Sequence, residues 1–308
     1  MAPDRPARAG LWDAPHVRYL VIAYSFSWVF WVGAWITSRT VGSGDVLFNE
    51  DLVWDAVFDR QVSTTTLTVS LLSLVGVYGP LVAGVVMSRR DPAIASGDLR
   101  RRVARVKVGA RTYGAVLAIL ALVTLPALLI TAATTGRATG GPSVGSIPAF
   151  LLVFFAVQLV TSGTEEVGWR GYLTEKLLPG RGWWDAGWAV GPVWAVWHFP
   201  IVVMIWVQQG MGLAQILGSL AGFSIGTVAM AILQAWFYER TRSVFLSIVI
   251  HALFNTVPLT IVLLFEGSPA AVVAQLSLWA VVVYLKSRSD RAAAAEVSEP
   301  GRSGPRQG

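Results

Sequence analysis

The chain has 308 residues, of which 54% are hydrophobic and 14% charged, with a formal net charge of +6 and no cysteine. Mean hydropathy is +0.59, and the apolar excess sits in blocks near the ~20 residues that cross about 30 Å of hydrocarbon, which excludes a soluble two-domain protein. The missing cysteine excludes disulfides, thiolate metal sites and cysteine nucleophiles. The positive charge lies mostly beside apolar runs, so it is a topology signal and not a nucleic-acid footprint.

Residues 1–18 are polar, carry Arg5, Arg8 and Arg18, and are expected to be a disordered cytoplasmic segment. The first apolar run, Tyr19–Thr37, is too long for a signal-peptide core and no A-x-A cleavage pattern follows it, so it reads as a span. Residues 39–64 are acidic, with Trp54 and Phe58 spaced for a short helix on the membrane surface. Span two, Thr65–Met87, contains Gly79-Pro80, a kink signal. The loop after it carries Arg89, Arg90, Arg100, Arg101, Arg102, Arg105, Lys107 and Arg111, a segment suited to anionic lipid. Span three is Tyr113–Ala133 and span four is Ile147–Ser162, which runs into the charged stretch S-G-T-E-E-V-G-W-R-G-Y-L at Ser162–Leu173.

Span five, Ala186–Val207, holds Pro192, His198 and Pro200, and the second proline predicts a kink beside the histidine. Span six is Leu213–Phe237, span seven is Val244–Phe265 with His251 and Asn255, and span eight is Ala270–Leu285. The tail 286–308 is polar and basic and is expected to be disordered. The fold class is therefore all-α: a polytopic membrane domain of about eight helices over 19–285, with its chemistry in 162–258. Of the 24 Lys and Arg residues, only Arg39, Arg60 and Arg137 fall on one side; the other 21 fall on the other. That bias predicts an integral cell-membrane protein with both termini cytoplasmic and Glu165 near the cytoplasmic end of span four. No internal repeat of the transporter kind is visible.

Ionised side chains inside a span cost roughly 2.5–3.5 kcal/mol on insertion scales, so they mark function. Glu166 and Arg170 stand at i and i+4 and are expected to pair, leaving Glu165, rotated by about 100° on the helix, free for chemistry. Trp194 and His198 share a face, as do His251 and Asn255. A carboxylate, histidines and amide donors together form a hydrolytic set.

E-E-V-G-W-R at Glu165–Arg170, Trp194…His198, and H-x-x-x-N at His251…Asn255 occur in that order. They resemble the three motifs of the CPBP family of intramembrane proteases, which includes the type II CAAX prenyl endopeptidases and the Abi proteins. The resemblance covers roughly residues 65–285 and departs at Trp194, where the family motif usually begins with Phe. It implies that Glu165 activates water with help from His198, and that His251 and Asn255 stabilise the oxyanion or complete a metal site. Glu166 and Arg170 would brace the first motif. It leaves open a divalent metal such as zinc on Glu165, His198 and His251, against a metal-free mechanism on the same residues. The implied substrate is a membrane-associated protein or peptide, with prenylated CAAX termini named by the family; no nucleic acid is implied.

Three other readings use the same chain. G-F-S-I-G at Gly222–Gly226 matches a nucleophile elbow and would offer a Ser224–His251 dyad, although its glycines, with Gly218, also match a small-residue packing ridge. Glu165, His198 and His251 could instead form the proton relay of a transporter. A non-catalytic immunity or scaffold protein is the third alternative.

Overall fold

The structure is a computed structural model that describes residues 10–41, 62–92, 94, 97–135, 144–265 and 269–298. Among these the regular structure is entirely helical. The helices are α1 (Ala14–Val41), α2 (Thr64–Val77), α3 (Gly79–Arg90), α4 (Asp98–Val103), α5 (Ala110–Thr134) and α6 (Ile147–Val160). After an irregular segment follow α7 (Gly182–Gln208), α8 (Leu213–Thr241), α9 (Val244–Leu264) and α10 (Ala270–Ser298). Eight stretches of described helix are long and apolar enough to cross a membrane, in agreement with the all-α polytopic reading.

The span boundaries shift for identifiable reasons. α1 starts at Ala14 and not at Tyr19, because Asp13 takes the Gly10 N–H at 2.7 Å and Pro15 suits a helix's first turn. Residues 14–18 are therefore helical, against the expectation of disorder there. Tyr78 separates α2 from α3, so the Gly79-Pro80 signal ends one helix and begins the next. α10 continues past Leu285 to Ser298, correcting the disordered tail over that stretch; Ala292–Ala295 favour helix and Lys286 pairs with Asp290 at 2.5 Å. The surface helix expected at Trp54 and Phe58 lies outside the described residues.

Without a hydrophobic drive between helices, a membrane bundle is held by close packing and by satisfied polar groups. On α1, Ala23, Ser27, Trp31, Ala34 and Ser38 recur at three- and four-residue spacing and are buried, while Val29, Val32 and Ile36 face outward. From the buried face, Trp31 Nε1 donates to the Ser73 carbonyl at 3.0 Å, Trp28 Nε1 to the Trp197 carbonyl at 3.0 Å, and the Tyr24 hydroxyl to the Val193 carbonyl. Trp197 Nε1 answers by donating to Ser27 Oγ at 2.8 Å. α1 is thereby fastened to α7, which carries His198.

The tight crossings are not at the ridge expected from Gly218 and Gly222, where an added Cβ would meet nothing within 4 Å. Only Gly226 of that series is packed, against the Gln275 side chain. The close approach of α7 and α8 is made instead by Gly187 and Gly191, whose added Cβ atoms would lie 2.6 Å from Ile232 Cα and 2.8 Å from Val228 Cα. A second close approach sets α3 against the charged segment: a Cβ on Gly84 would lie 2.7 Å from Gly168 Cα. The basic loop is also partly internal. Arg102 on α4 is buried, donates to the Gly171 carbonyl at 2.9 Å and to the Tyr238 hydroxyl, and pairs with Asp98 at 2.8 Å.

Candidate active site

α6 ends at Val160 because Thr161, at φ −104° and ψ −103°, leaves the helical region. The chain then resumes as a 3-10 turn (Ser162–Glu165), a short α-turn (Glu166–Gly168), a π-helical stretch (Trp169–Thr174) and a last α-turn (Glu175–Leu177). π-helical insertions re-aim side chains and recur at functional sites. The whole run from Ile147 to Leu177 is one candidate span, with Trp169, Tyr172, Leu173 and Leu177 fully buried. The helical run thus continues for twelve residues beyond Glu165, carried by these buried apolar residues.

The two adjacent glutamates have separate partners. Glu166 and Arg170 are completely buried and paired, with Arg170 Nη1 2.9 Å from Oε2 and 3.1 Å from Oε1. Glu166 Oε1 also accepts from His251 Nδ1 at 2.8 Å. Glu165 Oε2 accepts from the indole Nε1 of Trp194 at 2.9 Å and lies 4.0 Å from His198 Nε2. Glu165 is therefore not free of contacts, as its rotation alone predicted, but is oriented by an indole. Trp194 also lies beneath the Arg170 guanidinium at 4.4 Å and edge-on to His251, with ring centroids 5.3 Å apart. One ring thus touches three members of the set.

The hydrogen bonds assign the tautomers. His198 Nδ1 faces the Trp194 carbonyl at 2.9 Å, an acceptor only, so Nδ1 carries the proton and the neutral ring offers Nε2 as a lone pair toward Glu165. α7 runs unbroken through Pro192 and Pro200, so His198 stands in a continuous helix. Asn255 Nδ2 donates to Gln158 Oε1 and Ser162 Oγ, both at 3.1 Å, and the Ser162 hydroxyl donates in turn to Gln158.

Glu165, His198, His251, Asn255 and Ser162 line the polar end of a cavity of about 360 Å³. Its remaining walls are largely apolar and include Val123 on α5 and Ala274 and Leu278 on α10. The fold thus brings together every residue anticipated from the three motifs. Gln158 was missed, although a lone amide in the apolar run Ile147–Val160, four residues before Ser162, is the kind of signal that could have revealed it. Ser224 lies within α8, bonds the Leu220 carbonyl at 2.7 Å and does not line the cavity. The strand–turn–helix context of a nucleophile elbow is absent there.

Among the described residues no three His, Cys, Asp or Glu side chains are placed to hold a metal ion. His198 and His251 are each held through Nδ1, by the Trp194 carbonyl and by Glu166, and each keeps its Nε2.

Residues 147–257, which contain all three motifs, match the family model described as type II CAAX prenyl endopeptidase Rce1-like. The chain is also similar to CAAX prenyl protease 2 of Methanococcus maripaludis, at 24% identity over 195 residues that cover 60% of this chain and 70% of that protein. Over the stretch that holds the three motifs the chain is thus similar to CAAX proteases.

Proposed function

We propose that this CAAX-protease-type enzyme is an intramembrane endopeptidase that uses Glu165 and His198 to activate water. The observation that carries the reading is the 4.0 Å separation of Glu165 Oε2 from His198 Nε2 at the polar end of the cavity. That gap is too long for a direct hydrogen bond and short enough for one water to touch both atoms. Glu165 takes a proton from this water as its oxygen attacks the scissile carbonyl. The oxyanion receives Asn255 Nδ2, which exchanges one of its present bonds, and His251 Nε2 when that ring is protonated. Glu166 holds His251 by Nδ1, and Arg170 holds Glu166. The proton on Glu165 then passes to the leaving amine as the peptide bond breaks.

The substrate is a membrane-associated protein or peptide, and the relatives' names point to prenylated CAAX termini. Both termini are cytoplasmic in this reading, from the 21 Lys and Arg residues assigned to that side. No step passes through a metal. The test is cleavage of a quenched fluorescent, farnesylated CAAX peptide by wild type and Glu165→Ala in detergent, with and without EDTA. Cleavage by wild type in both buffers, lost in the variant, is expected. Equal cleavage by the variant would remove Glu165 from its role, and loss in EDTA with recovery on adding zinc would overturn the metal-free step.

A further inference from the structure

A second cavity, of about 460 Å³, opens where the start of α5 meets the end of α8. Arg105, Lys107, Arg111 and Arg240 line it, with no carboxylate among the lining residues. The other basic clefts differ in this respect: the one beside Arg89 and Arg90 contains Asp91, and the one around Arg102 contains Asp98 and Glu175. Arg105 and Arg240 are anchored on backbone carbonyls, Arg105 on Thr241 and Arg240 on Trp236, both at 2.9 Å. Arg240 also sits 4.1 Å over the Trp236 ring. Glu239, the nearest acid on α8, is 3.7 Å from Arg240 and accepts the Trp183 N–H at 3.0 Å. The Lys107 and Arg111 side chains have no ion-pair or hydrogen-bond partner among the described residues. Two charges are thus anchored in place and two are uncommitted, around one hollow.

The walls distinguish the ligand. Val108, Ala115, Trp236 and Phe237 make the hollow part apolar. Beyond it α5 exposes Leu117, Leu122 and Leu125 along a candidate span. A free phosphate uses the cations alone, whereas an amphiphile with an anionic head uses both surfaces. The first turn of α5 adds to the positive potential, since its N-cap, Gly109, supplies no side-chain acceptor. We propose that this cavity binds the phosphate headgroup of an anionic phospholipid, with its acyl chains lying along α5. The site narrows the lipid-facing character of the whole basic loop to one place and does not depend on the proteolytic reading.

The test is native mass spectrometry of the full chain in detergent, titrated with phosphatidylglycerol or phosphatidylcholine at matched ionic strength. Wild type is expected to retain phosphatidylglycerol in clear preference to phosphatidylcholine, which needs no variant to read. Lys107→Gln with Arg111→Gln should weaken phosphatidylglycerol binding about 25-fold, at roughly fivefold for each charge near the surface. Arg89→Gln with Arg90→Gln should leave binding within about twofold, because a cleft site and a diffuse surface charge differ here. No headgroup preference, an unaffected Lys107/Arg111 variant, or equal weakening in both variants would overturn the proposal. Displacement of the lipid by millimolar inorganic phosphate would overturn it in favour of a free-anion site.

Discussion

Glu166 and Arg170 offer the sharpest physical test of the site. Both side chains are fully buried, and one guanidinium nitrogen faces both carboxylate oxygens at 2.9 and 3.1 Å. At ~3 Å and an effective dielectric of about 20 the attraction is about 5 kcal/mol, and removing one partner of a buried pair costs about 3–5 kcal/mol because the other charge is left uncompensated. Arg170→Met strands Glu166 with only His251; Glu166→Leu strands Arg170 above the Trp194 ring, where a cation–π contact of about 2 kcal/mol softens the loss. The double variant strands neither charge. Each single variant is therefore expected to lose about 3–5 kcal/mol, and the double variant less than their sum by at least about 2 kcal/mol. The loss of the His251 partner is common to Glu166→Leu and the double variant, so it cancels in the cycle. Unfolding in mixed dodecylmaltoside–SDS micelles, followed by circular dichroism, measures all four corners. Additivity within about 0.5 kcal/mol would refute the argument.

Trp194→Phe keeps a ring under Arg170 but removes the indole N–H from Glu165, and a hydrogen bond to a charged group contributes about 1.5–3 kcal/mol. It should lower kcat/KM for peptide cleavage about tenfold, and unchanged cleavage would mean that the indole only packs. Gly168→Ala drives a methyl into the Pro80 backbone carbonyl and to 2.6 Å from the Tyr19 hydroxyl, so overpacking should destabilise by about 1–3 kcal/mol and depress cleavage. Gly222→Ala meets open space and should stabilise by about 0.5–1 kcal/mol. Unfolding free energies for the two variants that were equal would contradict the packing described. Ser224→Ala is expected to cleave at the wild-type rate; its inactivity beside an active Glu165→Ala would restore the serine dyad.

The sequence alone determined the number of spans, their order and the residue types of the site. Hydrocarbon thickness fixes helix length, so the apolar runs could be counted, and the 3.6-residue turn fixes which side chains share a face. Glu166 with Arg170, Trp194 with His198, and His251 with Asn255 were legible for that reason. Helix ends were less so: α1 and α10 exceed their apolar runs, because Pro15 and the Ala292–Ala295 stretch favour helix outside the hydrocarbon as well. Partners on different helices are set by how the bundle packs, which no local period encodes. Only the tertiary structure decided that His251 joins Glu166 while Trp194 orients Glu165, and that Gln158 holds Asn255. It also moved the close helix contacts from Gly218 and Gly222 to Gly84, Gly187 and Gly191. The reason is geometric: a glycine allows close approach wherever it occurs, but only the crossing of two helices determines which glycine is used.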